Sequence, residues 1–387
     1  MPRLSRRSFL SGAMAALAGW PAMAHAGAGA GVGAAAAPES TIFTGAGEGW
    51  LAATGGDDGF SAVSIDGSGI ATQCITRPVR FHGVETSPDG AQAVAVGRRP
   101  GHLAIVFDRA RGGESVHFRP GEGRVFAGHG RFSPDGRFFF TTEIERPQIV
   151  AGHTTMGRGV LSQRDVANGF AIVAEWPTAG DGPHDLMRSG PVLIVANGGI
   201  EPHTPEARDA EETGSTLSLL DPASGEVRAQ GQTTVDFSSL SLRHLAVDGQ
   251  GGAVVAAQDL LKDGEARPLL FRIGKDATPI PFDAPDNAWR ALRGYVGSVA
   301  YDASGRYVAC ASPRGGRVMV WQADGRYLGA VPLVDGCGLA MTTQAGGFIA
   351  ASGYGELILI QAEEDHVGIT ARHTGGPRFD NHMVRIG

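Results

Sequence analysis

The sequence predicts an all-β chain, a seven-bladed β-propeller of four-stranded blades whose ring is closed by the C-terminal strand. Three observations carry this. Glycine is abundant, with 59 residues beside 22 prolines, and strongly helical periodic segments are hard to find, a composition of many tight turns. One hairpin recurs six times, at a spacing of about 45–60 residues that lies in or slightly above the range of propeller repeats. A partial repeat at the N-terminal side lacks an innermost strand, which the last residues of the chain can supply.

Each hairpin runs from a short apolar strand through a turn of Gly, Asp or Ser into a second apolar strand. The copies are HGVETSPDGAQAVAV from His82, HGRFSPDGRFFFTTE from His129, HDLMRSGPVLIVANG from His184, HLAVDGQGGAVVAAQ from His244, VGSVAYDASGRYVACAS from Val296 and CGLAMTTQAGGFIAASG from Cys337. A third and a fourth strand follow, as in HLAIVFDRARGGESVHF, GVLSQRDVANGFAIVAEW, STLSLLDPASGEVRAQGQ and RVMVWQADGRYLGAVPL. Asp108, Asp165 and Asp221 stand where a carboxylate accepts backbone N–H groups in the intervening turn. Trp50 to Cys74 supplies strands two to four of a seventh blade, and NHMVRIG at the C-terminus its innermost strand. Pairing the two ends removes the edges an open array would expose.

Ahead of the propeller, residues 1–26 read as a twin-arginine signal peptide. Arg6 and Arg7 precede a moderately apolar stretch, and Ala24-His25-Ala26 offers a cleavage site. The apolar run is too short and too rich in Gly and Ala for a stable membrane span. Residues 27–40 form a Gly/Ala-rich linker with too little side chain to bury, and the propeller occupies 41–387. Export to the periplasm by the twin-arginine pathway follows, a route that carries proteins already folded around any metal or cofactor.

The net charge of -7 with no basic stripe argues against nucleic acid as a partner. Three cysteines, an odd set, build no disulfide framework. There is no C-x-x-C-H, so no covalent haem is expected, and neither H-E-x-x-H, G-x-S-x-G nor a P-loop is present. A monomer is expected.

The repeat places chemistry at one address. The residues opening the innermost strands are His82, His129, His184, His244 and His382, with Cys337 in a sixth blade and Val296 or Gly297 in the other. Imidazole and thiolate converging on a channel mouth are ligand types that suit copper, zinc and iron. The plainer reading has each imidazole hydrogen-bonded inside its own blade. Loops between strands two and three emerge on the same face and carry Arg98, Arg99, Asn197, Glu201, His203 and Arg314, candidates for binding an anionic ligand or cofactor. Glu143 and Glu145 could supply acid–base chemistry or metal ligands, surface solvation being their plainer reading. Trp176, Trp289 and Trp321 read as blade packing.

The motifs GRRPG, GHGRFSPDGRFFFTTE, GRGV, GPHDL, VANGGIEPH, LSLRHLAVD, YVGSVA, SPRGGRVMVW, DGCG and DNH together resemble the exported family catalogued as domain of unknown function 1513. The resemblance covers essentially the whole mature chain. It implies a seven-bladed propeller of the YVTN and quinoprotein-amine-dehydrogenase-like group, with no established activity. It also implies a setting of periplasmic iron uptake or redox proteins, since such family members are often encoded beside imelysin-like proteins and di-haem oxidoreductases.

The expected function is a periplasmic binding protein that holds iron or copper, or a metal complex, at a His-lined channel mouth. The alternative is a metal-free scaffold that docks partner proteins on its long-loop face. A metal-dependent hydrolase is the weaker third reading, because no convincing acid and base pair is visible.

Overall fold

A computed structural model describes residues 47–386, apart from 57–58, 147–148, 151–152, 155–156, 200–213 and 262. The signal peptide, the linker, Glu201 and His203 lie outside the described residues. Seven four-stranded antiparallel sheets form the blades of a propeller. The innermost strands, in chain order, are Phe81–Thr86, Arg124–Phe132, Pro183–Ser189, Leu240–Val247, Ser298–Tyr301, Gly336–Met341 and Arg378–Ile386. Each packs against the next around a central channel, and the seventh packs against the first.

Blade seven joins the two ends of the described chain. Gly49–Gly56, Gly59–Asp66 and Ala71–Arg77 form its outer three strands, and Arg378–Ile386 pairs antiparallel with Gly49–Gly56 as the innermost. The indole N–H of the buried Trp50 donates to the Met341 carbonyl at 2.9 Å and ties this blade to blade six.

The repeated turns have a side-chain cause. In both Ser-Pro-Asp-Gly copies the serine hydroxyl donates to the aspartate two residues on at 2.5 Å, and accepts the N–H of the returning strand, at 3.0 Å from Gln92 and 2.9 Å from Phe138. Gly90 and Gly136 close the two turns at φ 67° and 69°, a left-handed conformation that costs glycine nothing. Asp108, Asp165 and Asp221 each accept backbone N–H groups in their turns, as expected.

Apolar faces of neighbouring blades interlock to form the core. Phe118, Phe126, Phe132, Phe139 and Phe170 fill the space between blades one and two, and Trp289 stacks on Trp321 with ring centroids 5.4 Å apart. Trp289 stands on the short helix Asp286–Ala291. Glu143 is not a solvated surface group. It is fully buried, accepting from the guanidinium of Arg164 at 2.6 Å, with Arg124 at 3.2 Å, while the Arg164 guanidinium lies 4.8 Å from the Phe118 ring centroid. The pair lies within blade two and reaches blade one where Arg164 packs on Phe118; with its hydrogen bonds made it is not available for acid–base work. Glu145 is exposed at the end of its strand.

If the C-terminal strand closes the ring, its removal opens two edges at once. Deletion of residues 381–387 is expected to lower the melting temperature by at least ~5 °C or to abolish folding. A truncated chain that melts like the intact one in differential scanning calorimetry would contradict this closure.

Candidate metal centre

Regular strand alternation points successive side chains to the two faces of a blade, toward neighbouring blades and away from the axis. Six of the seven innermost strands break that alternation with a β-bulge. In blade one, Phe81 pairs with Gly97 and Val84 with Ala95, so that His82 and Gly83 stand opposite one residue. In blade two, Ala127, Gly128 and His129 stand opposite Thr142 alone. The extra residue is His184 in blade three, Arg243 beside His244 in blade four, and Cys337 in blade six. In blade seven, Asp380, Asn381 and His382 face only Ala53. Blade five pairs without interruption, and its innermost strand is the one that offers neither imidazole nor thiol. The bulge is the device that re-aims a side chain at the channel.

Two glycines make room for this. A Cβ on Gly83 would lie 2.6 Å from the Gly128 carbonyl oxygen, and one on Gly128, at φ 116°, would lie 2.6 Å from Cδ2 of His82. His382 itself adopts φ 74°, a left-handed backbone rarely taken by a non-glycine residue and held here by its surroundings.

The five histidines meet. Ring centroids are 4.8 Å apart for His82 and His129, 5.2 Å for His129 and His184, 4.7 Å for His184 and His244, 4.6 Å for His244 and His382, and 4.6 Å for His382 and His82. His82, His129 and His184 form one set, and His129, His244 and His382 another, in which one nitrogen per residue lies within 4.8 Å of the others. Donors tetrahedrally placed about 2.1 Å from an ion are about 3.4 Å apart, a spacing reached from here by small imidazole rotations. The sequence expectation of in-blade hydrogen bonding is not met: Nδ1 of His82, His184 and His244, Nε2 of His382 and both nitrogens of His129 are buried with no protein partner. Only His82 Nε2 and His184 Nε2 approach each other, at 3.5 Å.

The cluster sits inside the channel, deeper than the mouth that the sequence suggests. Of the five, only His82 and His184 stand next to the first residue of their strands; His129, His244 and His382 lie further along theirs. His82, His184 and His244 line a wide cavity of about 810 Å³ on one side, together with Arg98, Arg99 and Arg314. His129, His244 and His382 line a second cavity of about 310 Å³ on the other side, with Met187, Met341 and Met383. The imidazoles thus form a partition between the two.

Burial dominates their electrostatics. Desolvation, followed by the charges of neighbouring histidines and arginines, holds His82, His129, His184 and His244 well below the ordinary imidazole value, and burial beside Arg131 takes His382 down to about 3. At neutral pH all five are neutral, the form that ligates metal. Beneath them Arg131 donates to Glu85 at 2.9 Å, and Asp185 accepts the N–H groups of Leu186 and Leu245 at 2.8 and 3.0 Å. Asp185 Oδ1 lies 3.2 Å from His129 Nδ1, off the line of a hydrogen bond. A carboxylate there favours the proton on Nδ1 and leaves Nε2 as the donor atom.

Two expectations need correction here. Cys337 is buried and bulged, yet its thiol reaches the carbonyl oxygens of Phe379 and Ala351 at 3.3 and 3.5 Å and joins the core between blades six and seven. Burial raises its pKa, and it belongs to neither histidine set. Asn197 does not line the wide cavity; its side-chain amide donates to Thr216 and Ser218 within its own blade and to the Thr178 carbonyl of blade two. The residues missed from the sequence are Arg80, Arg243, Arg378, Asp335 and Asp380, which line the wide cavity. Arg243 and Asp380 had a usable signal, since they stand within two residues of a repeat histidine.

The imidazoles set a pH dependence for the metal-free protein. Unfolded histidines take up protons as pH falls below about 6.5, while the folded cluster stays neutral, so the unfolded state gains protons and stability falls. Above that pH neither state is protonated and the cluster contributes no slope. The buried carboxyls of Glu85 and Asp185, pushed up by desolvation, act in the opposite sense at acid pH but are outnumbered. The metal-free melting temperature is expected to be flat from pH 7 to 8 and to drop from pH 6.5 toward 5, by at most about 1.4 kcal/mol per pH unit per histidine. A melting temperature that rises as the pH is lowered through this window would contradict the neutral cluster.

Among solved structures the chain is similar to one titled Kuenenia stuttgartiensis Hydrazine Synthase, with 16% identity and a TM-score of 0.57 over 80% of this chain and 88% of that one. It is also similar to one titled Crystal Structure of Mitotic Checkpoint Complex, with 14% identity and a TM-score of 0.55 over 79% of this chain and 83% of that one. At such identities the likeness is one of fold. No curated protein matches. A family match runs over residues 75–386 and takes in all five channel histidines; the chain belongs to the family described as Protein of unknown function (DUF1513).

Proposed function

We propose that this protein is a periplasmic binding protein that holds a transition metal on the five-histidine partition of its channel, with iron or copper the leading ions. The observation that carries this is the set of five buried imidazole nitrogens without a protein partner, Nδ1 of His82, His184 and His244 and Nε2 of His129 and His382, gathered from five blades by bulges. Each such buried polar atom costs about 1–3 kcal/mol if nothing takes its lone pair or proton, which a metal-free scaffold would bear for no return. Neutral imidazole suits copper, iron, zinc and nickel. The Met-lined cavity beneath adds soft thioether groups nearby, in keeping with copper.

Periplasmic placement rests on the paired arginines of the N-terminal segment, and twin-arginine export would let the site be loaded before transport. The setting of iron uptake or redox proteins rests on the family resemblance.

Elemental analysis and calorimetric titration with copper(II), iron(II) and zinc(II) test the site. The intact protein is expected to take up near-stoichiometric metal, and His129→Ala/His184→Ala to lose at least about tenfold in affinity with its melting temperature in metal-free buffer retained. Intact protein that takes up none of the three ions would sink the proposal.

A further inference from the structure

The wide cavity over the histidine partition is strongly cationic. Arg80, Arg98, Arg99, Arg243, Arg314 and Arg378 line it, against Asp335 and Asp380 as the only carboxylates among its described lining residues. This concentration stands out on a chain of net charge -7. Asp380 is already engaged, accepting from Nε and Nη2 of Arg80 at 2.5 and 2.8 Å. Among the described residues no carboxylate pairs with Arg98 or Arg314; the Arg314 guanidinium lies 4.7 Å from the centroid of the Tyr295 ring, whose hydroxyl accepts from Asn381 at 3.0 Å.

Arg243 is the informative member. It is the extra residue of the blade-four bulge, only 8% exposed, and its Nε donates to Ser241 Oγ at 3.1 Å, while that hydroxyl donates to the Gly198 carbonyl at 2.7 Å. A bulge that aims one residue at the channel thus delivers two neighbouring groups, His244 into the partition and Arg243 into the cavity above it. Like charges gathered in a concave site with low-dielectric walls repel one another and focus a positive field. A bound anion relieves that repulsion, and planar guanidinium forks match carboxylate or phosphate oxygens in pairs.

We propose that the wide cavity binds a small, multiply charged oxyanion, carboxylate- or phosphate-bearing, directly above the histidine partition. Its volume of about 810 Å³ lies within the range of small-molecule sites. Taken with the metal reading, on which this last step rests, the cavity receives the metal as its anionic chelate: arginines hold the chelator while the imidazoles at the floor, Nε2 of His82 and His184 among them, face the ion.

Isothermal titration of the metal-free full chain with citrate and with pyrophosphate tests the anion site. Saturable binding at one site is expected for at least one probe, weakening as ionic strength rises and at least about tenfold in Arg98→Ala/Arg314→Ala. Both arginines are exposed, so the melting temperature of that variant should match the intact protein. Citrate alone identifies the carboxylate class and pyrophosphate alone the phosphate class. Lack of saturable binding by either probe, or binding that the double arginine variant leaves unchanged, overturns the proposal. No metal enters this titration, so an intact chain that takes up none of copper(II), iron(II) and zinc(II) yet binds the anion upholds the anion site while removing the chelate step.

Discussion

Seven innermost strands crowded around one axis impose the constraint on which the rest of this structure depends. A regular strand sends its side chains to the faces of its own blade, where they are spent on packing between blades. A side chain reaches the axis only where the ladder is broken, and here six strands break it at the level of the repeat histidines and Cys337. The extra residues have to fit into a ring that is already closed. Gly83 and Gly128 permit this, because any Cβ at either position would strike the neighbouring strand or its imidazole.

The consequence is electrostatic as much as steric. Packing five imidazoles against one another within the channel removes water from most of their surface, and that burial favours their neutral form. Neutral nitrogen donors without partners form a surface that could hold a cation with empty coordination positions. The same wall separates two unlike spaces, one rimmed by guanidinium groups and the other by thioethers and the Glu85–Arg131–Asp185 network. The partition therefore has a polar sense, an anion-attracting side and a soft, less charged side.

Much of this was legible before any coordinates. The Ser-Pro-Asp-Gly turns, the turn aspartates and the completion of a blade from both chain ends are local or periodic features, written in residues whose hydrogen bonds are made within a few positions. The histidine positions were legible for the same reason, since a repeat assigns equivalent residues to equivalent places. Direction was not legible. Cys337 shares its repeat position and its bulge with the histidines, yet its short thiol is captured by two carbonyl oxygens. Asn197 and Glu143 look like loop and rim residues in the sequence, but each satisfies partners inside the blades. The cavity arginines come from four separate blades, one, four, five and seven, and no spacing along the chain announces that they meet.

By itself, the sequence determined the blade count, the order of strands, the closure by the last strand and the address of the five imidazoles, because each follows from a short-range pattern repeated around the ring. Tertiary structure alone decided that the imidazoles leave their own blades, that they meet below the mouth, and that arginines gather over them. Those outcomes depend on bulge register and on which neighbour a side chain meets across the channel, and both are set by ring closure, which brings together residues as far apart as His82 and His382.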